Sequence, residues 1–279
     1  MKMSGKLFVV GTPIGNLGDF SPRAVQTLQD VDLIASEDTR VTLKLLNHFD
    51  IKNTLVSYHD HNIREKGEAI VREILGGKNV AIVTDAGMPC ISDPGEDLVR
   101  LCAESGIVVE VVPGPSAVIS ALAISGLITS RFSFEGFLST SRKSRTEHLE
   151  SLVDYPNTLI FYEAPHKLVA TLKDFLEYFG NRRISLAREL TKIHEEVFRT
   201  TVSEALEFYE HHTPKGEFVL VLEGAPKEEP EDVLSFDDAV KLVNRMVEGG
   251  KPLSQAAKEV AQATGYKKNE LYQSIVKND

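Results

Sequence analysis

The chain has 279 residues, 42% of them hydrophobic and 26% charged, with a formal net charge of −10. That length suits two domains with a small appendage, and the composition is that of a globular protein able to bury a core. The negative balance excludes a protein that coats nucleic acid by bulk positive charge, but leaves a local basic face free to hold RNA.

Residues 1–6 lead straight into the apolar run Leu7–Val10, too short for a signal segment or a membrane span. Lys6 to Val10 reads as a first strand, ending in the glycine-rich loop Gly11–Gly18. That loop lacks a Walker lysine and the dinucleotide GxGxxG spacing, so nucleotide motifs match it poorly. Ser21 and Pro22 open a helix as N-cap and first residue. Val31 to Ala35 is a second strand with Glu37, Asp38 and Arg40 just past it, followed by a helix over Thr42 to Phe49. A strand over Thr54 to Ser57 ends in Tyr58–Asn62, and a helix over Ile63 to Leu75 comes next.

Val80 to Val83 is a four-residue apolar run, expected to be a strand buried on both faces. It breaks into a loop with Asp85, Gly87, Pro89, Asp93, Pro94 and Gly95, and helical periodicity resumes with Pro94 as a first-turn residue. Gly106 to Val112 is a strand ended by Pro113–Ser116, and an apolar helix runs from Ala117 to Ile124. Strand, loop and helix alternate, and the polar or glycine-rich loops fall repeatedly on one end of the strands. This is the pattern of a parallel α/β sheet whose loops build one cleft.

The second half changes character. An extended run from Arg131 to Phe137 precedes the basic tract Ser141–Arg145. Strands over Thr158 to Tyr162 and Arg183 to Ala187 flank a helix over Lys167 to Phe179; Glu195 to Thr201 suits antiparallel pairing, and Glu217 to Leu222 closes the domain. An acidic, proline-containing linker follows, then three short helical patterns over Phe236 to Val247, Leu253 to Ala263 and Lys268 to Val276. The expected organisation is 1–115, 116–225, a linker over 226–234, and a helical tail over 235–279. Residues 235–279 carry seven Lys/Arg against six Asp/Glu, too little positive charge for a DNA reader. The tail reads as a helix-turn-helix, a small helical cap or a dimer contact.

No Ser/His/Asp set or metal pair stands out. Cys90 and Cys102 form neither a disulfide framework nor a metal site, which fits a reducing cytoplasm. His59 and His61 would share a face on a strand, but polar residues lining a cleft suit them better than a metal site. Glu37 and Asp38 with Arg40 form either a substrate clamp or a helix start suited to its dipole.

The ordered set Gly11–Leu17, Glu37–Arg40, His59–Asn62, Asp85–Pro89, Ser92–Gly95, Pro113–Pro115, Phe161–Glu163 and Ala187–Thr191 closely resembles the tetrapyrrole-methylase superfamily. The likeness is to its branch that methylates a cytidine ribose 2′-hydroxyl in bacterial small-subunit (16S) ribosomal RNA, and it covers essentially the whole chain. Met88 departs from it, standing where that branch usually has threonine, with Cys90 just after the proline. The resemblance implies two α/β domains of tetrapyrrole-methylase type with a cofactor cleft between them, a small C-terminal helical domain and a homodimer. It implies S-adenosylmethionine bound by Pro13, Asp85, Ala86, Gly87, Pro89, Ser92, Ser116 and Ala117 from the first half. Tyr162, Glu163, Ala187 and Leu190 would approach from the second. Glu37, Asp38, His59, Glu163 and Glu189 are the candidates for taking the hydroxyl proton. Arg40, Arg142, Lys143, Arg145, Arg188 and Lys192 are the candidates for RNA phosphates. The expected partner is 16S rRNA in the small ribosomal subunit, with no DNA, membrane or metal. A corrin-precursor C-methyltransferase and a non-catalytic ribosome-binding factor are the competing readings.

Overall fold

A computed structural model describes residues 4–59, 63–226 and 234–276. The chain forms two compact units, residues 1–225 and 226–279.

The first unit contains two five-stranded sheets. In the first sheet β1 (Lys6–Val10), β2 (Leu33–Ser36), β3 (Leu55–Ser57), β4 (Val80–Val83) and β5 (Val108–Val112) are all parallel, in the order β3-β2-β4-β1-β5. All four residues of β4 are buried, as expected of an apolar run with helices on both faces. One face packs on Ile70 and Ile74 of α3 (Ile63–Leu75) and Leu98 and Cys102 of α4 (Glu96–Glu104). The other packs on Ala24 and Leu28 of α1 (Pro22–Asp30) and Leu46 of α2 (Thr39–His48). Ser21 caps α1 by accepting the Ala24 N–H, with Pro22 in the first turn.

The order of strands makes the chain leave β1 toward one side of the sheet and leave β4 toward the other. The neighbouring carboxyl ends of β1 and β4 are therefore a topological switch point, where open α/β sheets form a crevice.

Helix α4 differs from the sequence expectation. It starts at Glu96, and Pro94 lies outside it, in the loop. The intervening Gly95 has φ +135, and a Cβ there would sit 2.7 Å from Cys90 Sγ and 2.9 Å from Ile82 Cδ1. Only glycine makes that turn, so the helix cannot begin before it.

The second sheet has the order β6-β7-β10-β8-β9, formed by β6 (Phe132–Phe137), β7 (Thr158–Glu163), β8 (Arg183–Arg188), β9 (Glu196–Thr201) and β10 (Phe218–Leu222). Only β6 and β7 are parallel; the other pairs are antiparallel. One face is covered by α5 (Ala117–Ile124), whose Val118, Ala121 and Leu122 pack on Ile160, Ala187 and Val221. The other lies under α6 (Arg142–Ser151), α7 (Leu168–Phe179) and α8 (Val202–His211), with Phe161, Phe175 and Phe218 fully buried between them. A Thr201/Glu204 capping box starts α8.

The described residues of the second unit form three helices, α9 (Phe236–Glu248), α10 (Leu253–Thr264) and α11 (Lys268–Val276), around their own core of Ala239, Val243, Ala257, Val260, Leu271 and Ile275. Gly265, in the left-handed conformation, terminates α10. Among the described residues no helix is long and apolar enough to cross a membrane.

Candidate active site

A cleft of about 580 Å³ opens where the loops after β2 and β4 face the loops after β7 and β8. On the first-sheet side its frame is a pair of laced loops. Thr12, just after β1, exchanges backbone hydrogen bonds with Gly87, after β4: the Thr12 N–H reaches Gly87 O at 2.8 Å, and the Gly87 N–H reaches Thr12 O at 3.2 Å. The Thr12 hydroxyl also donates to Thr84 O at 3.1 Å. Gly87 has φ +93, a conformation open to glycine at little cost. Behind the pair, Gly11 and Gly114 touch backbone to backbone, and a Cβ on Gly11 would lie 2.7 Å from Gly114 Cα. Met88 has a structural task here: its thioether sulfur accepts the Gly114 N–H at 3.3 Å.

The same loop holds Cys90 and Ser92 in the left-handed region, at φ +72 and +62. Across the cleft, Glu189 and Thr191 after β8 do the same, at φ +51 and +67. Such backbone costs a non-glycine residue roughly 1–3 kcal/mol, and residues of this kind cluster where a ligand is bound. Burial pushes the Cys90 thiol up to about 11, which favours the thiol over the reactive thiolate.

Three carboxylates gather at the ends of β2 and β4. Glu37 accepts the Thr84 hydroxyl at 2.7 Å. Asp38 caps α2 and is gripped by Arg40, which lowers its pKa to about 2. The Asp38 N–H donates to Asp85 Oδ1 at 3.2 Å. Burial raises the Asp85 carboxyl above its ordinary value, and the charges of Glu37 and Asp38 push the same way.

The opposite wall carries Tyr162, Glu163, Glu189, Lys192 and Glu217. Phe134 and Phe137 pack on the Tyr162 ring at centroid distances of 5.0 and 5.4 Å, and burial pushes its hydroxyl up to about 12. Lys192 Nζ lies between Glu189, at 2.9 Å, and Glu217, at 3.1 Å. The bond from Lys192, helped by the Glu217 N–H at 3.0 Å, holds the Glu189 carboxyl below its ordinary range.

Residues 6–206 match the family model of tetrapyrrole (corrin/porphyrin) methylases. The chain belongs to the tetrapyrrole methylase family. Residues 234–277 of this methylase match a second model, the RsmI C-terminal HTH domain. Similar curated proteins carry the name ribosomal RNA small subunit methyltransferase I. One from Synechocystis is 48% identical over 96% of both chains, and one from Haemophilus influenzae is 45% identical over 97% of this chain and 96% of its own. One from Thermotoga maritima is 50% identical, matching 79% of this chain and 99% of its own. Among solved structures, a uroporphyrin-III C-methyltransferase from Thermus thermophilus superposes with a TM-score of 0.55 at 20% identity, over 78% of this chain and 94% of that one. The methyltransferase CobJ does so with a TM-score of 0.59 at 16% identity, over 80% and 95%. At those identities the likeness concerns the fold.

Of the residues expected at the cofactor, this methylase places Asp85, Ala86, Ser92, Ala117, Tyr162, Glu163, Ala187 and Leu190 on the cleft wall. Gly87 and Ser116 line a smaller pocket that shares Ala86, Ala117 and Tyr162 with it. Pro13 and Pro89 are buried in the loop frame and line neither. Of the proton-acceptor candidates, Glu37, Glu163 and Glu189 line the cleft, whereas Asp38 is engaged by Arg40 and His59, at the end of β3, lies off the wall. His61 is outside the described residues. Among the described residues no cluster of three or more His, Cys, Asp or Glu could hold a metal.

The cations are less available than the sequence suggests. Arg40 pairs with Asp38, Arg188 with Glu196 at 2.7 Å, and Lys143 loosely with Glu147 at 3.8 Å. Arg145 turns inward to Asp174 at 2.6 Å. Only Lys192 of the six lines the cleft, and Arg142 is exposed on the first turn of α6. The sequence reading missed His166 and Glu217 on the cleft wall. Position is the available signal for both, since each sits at the cleft-side end of a second-sheet strand, β7 or β10.

Proposed function

We propose that this methylase uses S-adenosylmethionine to methylate the ribose 2′-hydroxyl of a cytidine in small-subunit ribosomal RNA. The observation that carries the reading is the near-full-length match, at 43–48% identity, to proteins named ribosomal RNA small subunit methyltransferase I.

The cleft fits the cofactor. Its volume falls inside the roughly 300–1,000 Å³ of small-molecule sites, and its floor is small residues, Ala86 and Ala117, over the glycine-based frame. The loop at Asp85 and Ala86 on one side, and the turn at Glu189 and Leu190 just past β8 on the other, are the candidates to hold the cofactor's two ends, with Tyr162 between them as a wall. When bound, S-adenosylmethionine supplies a methyl group already activated on a sulfonium. The protein's own work is alignment and removal of one proton from a weak acid.

For that proton the electrostatics favour Asp85, with Glu37 beside it. Asp38 and Glu189 are stabilised as anions by Arg40 and Lys192, which weakens them as bases. Asp85 is shifted the other way, so its carboxylate takes up a proton more readily than an ordinary aspartate does. The candidate phosphate ligands are Lys192 at the cleft and the exposed Arg142 and Lys143 on α6. A homodimer in the cytoplasm completes the reading. Its support is the family resemblance, and Val108 and Val111, 52% and 56% exposed on edge strand β5, offer apolar surface to a second copy.

The test is transfer of labelled methyl from S-adenosylmethionine to isolated small ribosomal subunits, followed by mapping of the modified nucleotide. Label at a cytidine 2′-oxygen is the expected result. Label on a base, or on a corrin precursor supplied instead of subunits, would overturn the reading.

A further inference from the structure

Glu163, at the end of β7, lines the cleft although only 4% exposed. Its carboxylate is bonded from behind at both oxygens. The Ala164 N–H donates to Oε1 at 2.8 Å, and the Thr171 hydroxyl donates to Oε2 at 2.5 Å. Thr171 is fully buried on α7, one turn before Asp174. Arg145 comes from α6 and bridges the two: Nη2–H donates to Thr171 Oγ1 at 2.8 Å, and Nε–H to Asp174 Oδ2 at 2.6 Å.

The direction of these bonds matters. A threonine hydroxyl has one proton. Arg145 has no acceptor, so it takes up a lone pair of Oγ1 and leaves that proton for Glu163. The hydroxyl therefore has one orientation, and the carboxylate one rotamer. The remaining lone pairs of Glu163 are left for the cleft.

We propose that Arg145 and Thr171 are positioning residues for Glu163, holding its negative charge fixed on the wall that takes a cationic methyl donor. This rests on the assignment of the cleft to S-adenosylmethionine. It reassigns Arg145 from the RNA-facing tract to the hydrogen-bond network behind the cleft wall. The rest of the tract, Arg142 and Lys143, stays on the exposed face of α6.

If the network only staples α6 to α7, losing it would cost stability with no special relation to Glu163. A double-mutant cycle on the full chain separates the two, read by calorimetry of S-adenosylmethionine binding without RNA. Glu163→Gln should weaken binding about tenfold or more, because a hydrogen-bonded charge is lost. Thr171→Val, close in shape, should weaken binding about three- to tenfold in the native chain and less than about twofold in the Glu163→Gln background. Arg145→Lys should fall between the native chain and Arg145→Met. Thermal melts establish that each variant is folded, and Arg145→Met serves in the same cycle if Thr171→Val is not.

An equal effect of Thr171→Val in both backgrounds overturns the proposal, and so does unchanged affinity in Glu163→Gln. Failure of the ribosomal RNA reading would look different: the native chain would bind cofactor and show the cycle, yet leave small subunits unlabelled.

Discussion

The carboxyl of Asp85 titrates above its ordinary value of 3.8, so the folded chain keeps that proton when the unfolded chain has lost it. Stability therefore falls as pH rises through the window between the ordinary and the raised value. Asp85→Asn should raise the melting temperature at neutral pH, and the gain should vanish below the ordinary carboxylate range. The same variant should abolish most methyl transfer, since an amide takes no proton. Melts of both proteins across acid and neutral pH, with a transfer assay at each point, check both halves. A melting temperature unmoved at neutral pH would mean that the carboxyl is no costlier folded than unfolded. At the glycines, steric detail ranks two variants. Gly11→Ala drives a Cβ to within 2.7 Å of Gly114 Cα, whereas Gly106, at φ +67, has open space around it. Gly106→Ala should cost about 1 kcal/mol of backbone strain, and Gly11→Ala clearly more, by denaturant unfolding.

At the level of elements, much was legible. The run Val80–Val83 has no polar position to turn outward, which is why it reads as a strand covered on both faces, and all four of its residues are buried in β4. The helix Ala117–Ile124 stood out as an apolar run, and the last three helices by their apolar spacing past the acidic linker. What escaped was the inward turn of Arg145. Basic residues crowd that tract, and bulk charge hides periodicity. The signal was there, because Arg145 stands four residues before Leu149, the buried residue of α6, and so shares its face. The true start of α4 escaped for a different reason. Pro94 is suited to a first turn, but the close approach of Gly95 to Cys90 is a tertiary fact that local propensity cannot supply. The pairing of β10 between β7 and β8 was equally invisible, since periodicity gives a strand's faces and not its neighbours. The aromatic core beneath these strands yields a plain expectation. Phe175→Ala, at a fully buried site, should destabilise the first unit by about 3–5 kcal/mol in denaturant melts.

For the whole molecule, the separate core of α9–α11 and the Thermotoga maritima relative point the same way. That relative is matched over 99% of its own length by 79% of this chain. A fragment of residues 1–225 should therefore fold and bind S-adenosylmethionine within about twofold of the full chain, a difference under roughly 0.5 kcal/mol. Calorimetry on the fragment checks this; loss of binding would assign the last three helices a part in the cleft. Charge is the other whole-molecule property. At −10, with Lys192 in the cleft and Arg188 near it both paired to carboxylates, the chain has little long-range pull on phosphate. Arg142→Ala with Lys143→Ala should lower the slope of log affinity for small subunits against log salt by about one unit for each phosphate that is no longer neutralised. Cofactor affinity should stay as it was.

The two backbone bonds between Thr12 and Gly87 have one more consequence. Loops at the mouth of a site are ordinarily the first backbone to let water in. Here each loop's amide proton is locked by the other's carbonyl, so neither can open alone. In deuterated buffer the amides at 12 and 87 should lose protection together, in one opening event, and far more slowly than the surrounding loop.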